Sequence, residues 1–264
     1  MSVYVREKAE YLREALASVF NQTLVPTEVV LVKDGPLTDE LESVIRDFAE
    51  RYHSLKVVDL PQNVGLGAAL NEGLKHCSCE LVARMDSDDI SKPFRFETQV
   101  KFMTQCPQVA IVGSWIDEFY GTTDNVIAQR RLPESTQELY QFAKTRCPFN
   151  HPTVMFRKPC VENVGGYQSF YLFEDYYLWA RMILAKCQLH NIQQSLLYFR
   201  SSPQVAARRG GWKYAKSEVR LQWKFLRMGL IGPFTFCKNI IIRITVRIMP
   251  NKLRTLVYQK LLRK

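Results

Sequence analysis

Apolar positions follow two alternating periods along the first 200 residues. Short apolar runs of strand length are separated by longer stretches in which apolar residues recur every three or four positions, the spacing of one helix face. Strands are predicted at 28–33, 55–60, 81–85, 109–115 and 188–199, with one more ending at Arg157 and a hairpin around Gly121. Helices are predicted at 8–20, around 41–48, from 63–73 onward, after Pro93 to about Gln105, and from Glu174 onward. This alternation indicates an α/β fold whose mixed, mostly parallel sheet carries helices on both faces.

The charge of the chain is concentrated at its C-terminal end. The 264 residues carry a net charge of +10, yet residues 1–200 contain more acidic than basic side chains. Residues 201–264 contain fifteen Lys or Arg and one acid, Glu218. We therefore predict an α/β domain at 1–200 and a basic helical region at 201–264. Such asymmetry is typical of proteins that contact an anionic membrane surface or a nucleic acid.

The basic region contains cations at helical spacing beside apolar positions. Around 234–250, Arg243 and Arg247 are four residues apart and leave isoleucines for another side of the helix. Such a helix can lie among lipid headgroups, whereas the other interpretation is a helix packed on the α/β domain with its basic side in water. We favour the membrane surface and expect no nucleic acid partner, since no base-reading or stacking motif is evident.

Other features of the chain predict a cytoplasmic protein without a membrane-spanning helix. The seven cysteines are an odd number without paired metal-like spacing, which favours reduced thiols. No basic-then-apolar signal segment is evident at the start, and no apolar stretch reaches the length of a spanning helix.

Three carboxylates follow the predicted strand 81–85 directly. Asp86 and Asp88 alternate in the sequence, so in an extended chain they point to one side and repel each other unless a cation lies between them. Mg²⁺ or Mn²⁺ suits such oxygen ligands, and ligands of open α/β sheets gather at the carboxyl ends of strands. The alternative is a solvated acidic loop before a helix that begins near Ser91 and Pro93.

Five motifs resemble one enzyme family when they are taken in order. They are SVFNQT at 18–23, EVVLVKDG at 28–35, NVGLGAALNEG at 63–73, MDSDD at 85–89 and FEDYYLWAR at 173–181. In this order and spacing the chain resembles the family 2 glycosyltransferases of GT-A fold, especially bacterial exopolysaccharide, capsule and lipopolysaccharide enzymes, including the amylovoran biosynthesis type. The resemblance spans residues 2–200 and implies a GT-A fold for that part.

The resemblance implies a site for a nucleotide-diphosphate sugar donor. Asp34 would accept hydrogen bonds from the base, although the residues alone fit an ordinary Asp-Gly-Pro turn equally well. The other implied nucleotide-binding positions are Asn63, Gly65, Gly67, Asn71 and Asp86. Asp86 and Asp88 would ligate the divalent ion. The family often has an arginine where this chain has Leu70, so one phosphate contact is missing or supplied elsewhere.

The Glu174–Asp175 pair would carry the second half of the chemistry. In similar enzymes the aspartate of this pair takes the proton of the acceptor hydroxyl, which implies that Asp175 is the catalytic base and that Glu174 orients it or binds the acceptor. The residues alone also fit two acids that stabilise the positive end of a helix dipole.

Together these patterns predict a metal-dependent inverting glycosyltransferase of bacterial surface polysaccharide biosynthesis. It would move a sugar from a nucleotide donor to a saccharide acceptor, most simply a lipid-linked one, as a peripheral protein at the inner face of the bacterial plasma membrane. A sugar-nucleotide nucleotidyltransferase is one alternative, but that class expects a glycine-rich loop after the first strand, where this chain has Val5-Arg6-Glu7-Lys8.

A second alternative is an impaired paralogue that acts as a membrane-associated scaffold. The resembling family begins with an apolar strand of about five residues, and most of it is absent before Ser2. The loss would remove ladder partners in the middle of the sheet. Either residues 1–5 supply a shortened strand, or the true start of the protein lies upstream, or the protein is impaired. We favour the shortened strand.

Overall fold

The computed structural model describes residues 1–201 and 211–248, which form two sheets with helices packed on them. The strands are β1 (Ser2–Val3), β2 (Val29–Lys33), β3 (Leu55–Asp59), β4 (Leu81–Ala83), β5 (Ile90–Ser91), β6 (Val109–Phe119), β7 (Val126–Arg130), β8 (Met155–Arg157) and β9 (Gln188–Arg200). The helices are α1 (Ala9–Phe20), α2 (Asp39–Arg51), α3 (Leu66–His76), α4 (Arg95–Gln105), α5 (Thr136–Phe142), α6 (Lys158–Asn163), α7 (Glu174–Leu184), α8 (Trp212–Arg227) and α9 (Pro233–Ile248). The mixed α/β class is confirmed.

The two sheets differ in strand direction. β1, β2 and β3 form a parallel sheet in that order. The second sheet has the order β4-β8-β6-β9-β5, with β7 paired to β6, and its one parallel pair is β6 with β9. The second sheet therefore has more antiparallel pairs than we expected. Antiparallel neighbours, such as the predicted hairpin of β6 and β7, can be joined by a short turn and need no crossover helix.

The first strand is short but paired. Ser2 lies opposite Val32 and Val3 opposite Lys33 in parallel register, and the Met1 amino group donates a hydrogen bond to the Val30 carbonyl at 2.8 Å. Val3 is fully buried. The expected shortened strand is thus present, and it holds the start of the chain against β2.

Capping and apolar spacing agree in α2. The Thr38 hydroxyl accepts a hydrogen bond from the Leu41 amide at the start of α2, and three acids in the first turn face the positive end of the helix dipole. The side of α2 that carries Leu41, Val44 and Phe48 is buried in a core shared with α1 and the sheet. The helix is fixed by the burial of this apolar face more than by its polar surface.

The described part of the C-terminal region packs on the α/β domain. Leu221 and Phe225 of α8 are fully buried in the same core as α7, and the Phe225 ring meets the Tyr176 ring edge-on, with centroids 4.9 Å apart. The α/β domain and the described part of the basic region therefore share one hydrophobic core, although the two regions differ in net charge. Among the described helices, none is both long enough and apolar enough to cross a membrane. The side chains of Arg247 and Ile248 lie outside the described residues.

Candidate active site

The three aspartates after β4 converge at one point. Carboxylate oxygens of Asp86, Asp88 and Asp89 all lie within 4.8 Å of one another. The backbone sets their position, because β4 ends at Ala83 and the next amide, that of Arg84, donates to the Val154 carbonyl at 2.8 Å. Asp86 and Asp88 are half-buried, so both remain accessible from the cleft.

Asp89 fixes this cluster to the end of β9. One of its carboxylate oxygens accepts the Arg200 backbone N–H at 2.8 Å, and the Arg200 side chain donates to the Asp88 carbonyl at 2.8 Å. The other oxygen, Oδ2, is buried and has no hydrogen-bond partner among the described residues. The sequence placed Asp89 beside the predicted ligands but gave it no role.

The electrostatics of the cluster favour a bound cation. Burial, followed by the charges of Asp86 and Glu7, raises the pKa of Asp88 to about 7. Burial and the charge of Asp88 raise the pKa of Asp89 well above its ordinary value. A divalent ion would remove the repulsion and would give the orphaned Asp89 oxygen a partner. Hard oxygen donors at this separation therefore fit Mg²⁺ or Mn²⁺.

Arg84 is a site residue that the sequence analysis missed. It is 4% exposed, and its Nη2 group donates to an Asp86 carboxylate oxygen. Its Nε and Nη1 groups have no hydrogen-bond partner in the described part of the chain. Buried N–H groups without acceptors are costly, and an anion bound beside Nε and Nη1 would supply the acceptors that Asp86 does not. The sequence did contain a signal. In the predicted strand 81–85, Arg84 is the one charged residue among apolar ones, and the acids follow directly.

The glycine-rich loop at 63–67 is held by Asp34. The Asp34 carboxylate, 4% exposed, accepts hydrogen bonds from the Val64 amide at 2.7 Å and the Gly65 amide at 3.1 Å. It also accepts from the Asn63 side chain at 3.0 Å. Gly65 has a φ of 89°, which favours glycine, and it is the N-cap residue directly before α3. Asp34 thus shapes the predicted nucleotide loop, and its contact with a base stays a prediction.

The Asn71 side chain forms its hydrogen bonds with the backbone of Tyr167. Its side-chain carbonyl accepts the Tyr167 amide at 2.8 Å, and its amide group donates to the Tyr167 carbonyl. Gly166 approaches so closely that a Cβ there would lie 2.6 Å from the Asn71 oxygen. Asn71 therefore ties α3 to the 165–167 turn, and its contact with a nucleotide remains untested. Leu70 packs in the apolar core and brings no cation to the site.

The Glu174–Asp175 pair lies at the start of α7. Asp175 Oδ1 accepts the Tyr176 amide at 2.7 Å, and the Cys147 thiol lies 3.8 Å from Asp175 Oδ2 as a weak donor. Burial and then the Asp175 charge raise the pKa of Glu174 to about 7. Burial also raises the pKa of Asp175. Raised values suit a general base that works near neutral pH.

The acid pair and the glycine-rich loop are in direct contact. A Cβ on Gly67 would lie 3.3 Å from the Glu174 Cβ, so a larger residue at 67 would press on the pair. Asp86 is close enough for its charge to raise the pKa of Glu174 and Asp175, while Arg84 lowers the pKa of both. The structure therefore brings the aspartate cluster, the glycine-rich loop and the acid pair to one cleft.

These features define a nucleotide-sugar glycosyltransferase of the GT-A class: an α/β sheet, acids at a strand end and a second acid pair across a glycine-rich loop. The chain belongs to glycosyl transferase family 2, whose family model matches residues 1–163. The family resemblance of the sequence is thereby confirmed, and with it the glycosyltransferase class of enzyme.

Curated relatives cover nearly the whole chain. A UDP-Gal:alpha-D-GlcNAc-diphosphoundecaprenol beta-1,3-galactosyltransferase of Escherichia coli is 43% identical over 264 residues, which is 100% of this chain and 95% of that protein. The amylovoran biosynthesis glycosyltransferase AmsE of Erwinia amylovora is 38% identical over 260 residues, with 98% and 97% covered.

A solved structure confirms the fold. A mannosyltransferase of Pyrobaculum calidifontis, determined in complex with GDP-Man and Mn2+, matches with a TM-score of 0.64 over 92% of this chain and 68% of its own. Because the two sequences are 20% identical, this structural similarity is evidence for the fold alone. The GT-A prediction is therefore confirmed, whereas the roles of the individual site residues remain predictions.

Proposed function

We propose that this protein is a metal-dependent inverting glycosyltransferase of bacterial surface polysaccharide biosynthesis. It transfers one sugar from a nucleotide-diphosphate donor to a lipid-linked saccharide acceptor. The observation that carries the proposal is the shared cleft: the clustered aspartates, the 63–67 loop and the Glu174–Asp175 pair meet there.

The aspartate cluster would hold the divalent ion. Asp86 and Asp88 would be ligands, with the orphaned oxygen of Asp89 as a further donor. Such an ion supplies stabilisation of the negative charge that builds on the leaving nucleoside diphosphate. The mannosyltransferase of similar fold was determined with GDP-Man and Mn2+, which supports this assignment.

Asp175 would act as the base. As the acceptor hydroxyl forms its bond to the anomeric carbon, the bond from that carbon to the diphosphate oxygen breaks, and the hydroxyl proton passes to the Asp175 carboxylate. A single displacement from the face opposite the leaving group inverts the anomeric configuration. The Tyr176 amide and the Cys147 thiol would fix the orientation of the carboxylate, and Glu174 would bind the acceptor.

A lipid-linked acceptor and a position at the inner membrane face agree with the C-terminal region. The 43% identical relative is named for an acceptor linked to diphosphoundecaprenol. In this chain Trp212, Trp223 and Phe234 are exposed beside several cations of α8 and α9, a combination that suits a membrane interface. This surface supports contact with anionic lipid, and nothing in the sequence suggests a nucleic acid partner.

The test of the function is a donor panel. We expect purified protein to release a nucleoside diphosphate from one nucleotide sugar when Mn²⁺ or Mg²⁺ is present, and to stop when the ion is chelated. No turnover of any donor would favour the scaffold interpretation. Pyrophosphate release from a nucleoside triphosphate plus a sugar phosphate would favour a nucleotidyltransferase.

Arg84 would supply the cation that Leu70 does not. Its free Nε and Nη1 groups lie next to the aspartate cluster, where the donor diphosphate would bind. We expect Arg84→Met to weaken UDP binding in the presence of Mn²⁺ by about tenfold or more, the value of a charge-assisted hydrogen bond, with Arg84→Lys intermediate.

Titration calorimetry measures this effect, and a thermal melt shows whether each variant is folded. Arg13→Met is the matched control, because the exposed Arg13 pairs with Asp47 on the surface. A folded Arg84→Met protein that binds UDP as tightly as the control would remove Arg84 from the donor site.

A further inference from the structure

Helix α8 carries a row of cations that have no acidic partner in the part of the chain that the structure describes. Lys213, Lys216, Arg220, Lys224 and Arg227 follow one another at intervals of three or four residues, which places them along one side of the helix. None of the five forms an ion pair within the described residues. The one acid of residues 201–264, Glu218, is fully buried and pairs with Arg243.

The first three cations of this row line a cavity. The cavity has a volume of about 380 Å³ and lies between α8 and the loop before α7, with Ser169, Tyr171, Lys213, Lys216 and Arg220 in its walls. The Lys213 ammonium lies 4.3 Å from the centre of the Tyr171 ring. Among the described residues no carboxylate belongs to its lining, so the cavity is a positively charged space suited to an anion.

The cavity is fixed close to the acid pair. The Ser217 hydroxyl donates to the Tyr171 carbonyl at 2.7 Å, and the Tyr214 and Phe173 rings pack edge-on with centroids 5.1 Å apart. Tyr171 is four residues before Asp175, so their Cα atoms are at most about 15 Å apart. For the linking phosphate of an acceptor to meet the cavity while its hydroxyl meets Asp175, the saccharide between them would have to span no more than about this separation.

We propose that this cavity binds the phosphate or diphosphate group that joins the acceptor saccharide to its lipid. The inference rests on the proposed function and adds the chemical class of the acceptor. Arg220 can bind two phosphate oxygens through its planar fork, and Lys213 and Lys216 add point charges. The aspartate cluster repels anions unless it holds a cation, so the cavity offers a second, separate anion site. The diphosphate-linked acceptor named for the 43% identical relative agrees with this chemistry.

The test compares two pairs of charges on the same helix. Lys216→Gln/Arg220→Gln removes two cations from the cavity, whereas Lys224→Gln/Arg227→Gln removes two from the same row outside it. Farnesyl diphosphate is the probe and farnesol its uncharged counterpart, each titrated with UDP and Mn²⁺ at saturation so that the donor site is filled. We expect the cavity variant to bind farnesyl diphosphate about tenfold or more weakly, and the control variant to bind it like the wild type.

Three further outcomes are informative. Equal weakening in both variants would overturn the proposal, because the effect would then follow net charge rather than the cavity. Wild-type protein that binds UDP but not farnesyl diphosphate would also overturn it and leave the proposed function standing. Failure to bind any nucleoside diphosphate of the donor panel would contradict the proposed function itself. Flotation with phosphatidylglycerol vesicles separates the lipid surface from the acceptor, since membrane contact by the whole row predicts equal losses in the two variants.

Discussion

Asp88→Ala is expected to abolish metal-dependent donor binding. It should also lower the rate of sugar transfer on the order of a thousandfold, because the bound ion no longer stabilises the charge that develops in the transition state. The substitution removes one of three carboxylates whose oxygens lie within 4.8 Å of one another. It keeps the Asp88 carbonyl, which accepts the Arg200 side chain, so the loop should retain its shape. Calorimetry of UDP binding with and without Mn²⁺ measures the loss.

The melting temperature separates this functional effect from a structural one. Without metal the carboxylates repel one another, so the variant should melt no lower than the wild type. Mn²⁺ should raise the melting temperature of the wild type, because an ion that binds only the folded state stabilises it, and should leave that of the variant unchanged. Asp47→Ala, on the exposed surface, is the control. Unchanged Mn²⁺-dependent affinity for UDP in Asp88→Ala would remove the metal assignment.

Asp175→Asn is expected to keep donor binding and to lose transfer by about a thousandfold, within the range that general base catalysis contributes. Asparagine keeps the size of the side chain and can still accept the Tyr176 amide, but it cannot take a proton from the acceptor. UDP affinity and the rate of transfer, measured on the same preparation, separate binding from chemistry. Glu174→Gln is the companion variant, for which we expect a smaller loss that falls mainly on acceptor affinity.

The pH dependence gives a second readout for this residue. A base works in its ionised form, so transfer falls as the pH drops through its pKa. Burial raises the pKa of Asp175, hence the wild-type rate should decline at a higher pH than an ordinary aspartate would give. The decline should be absent from the residual rate of Asp175→Asn. A variant with full transfer would require another base in the cleft.

The individual strands and helices were largely predictable from local pattern, whereas the order and direction of the strands were not. The apolar runs at β2, β3 and β6 and the helical spacing of α1, α2 and α7 are properties of neighbours in sequence, and the structure confirms them. The sheet was less predictable, because strand direction depends on which distant strands pair. β8 lies antiparallel between β4 and β6, and no residue in it signals that order.

The site was predictable in its parts but not in its assembly. The sequence by itself determined the acids at 86–89 and 174–175, the glycine-rich loop and the basic end of the chain, since these are motifs of adjacent residues. Only the tertiary structure decided that Gly67 touches Glu174, that Arg84 is buried with free donors, and that Lys216 and Arg220 line a cavity near Asp175. Burial and through-space charge set these properties, and both are fixed by residues that are far apart along the chain and meet only after folding.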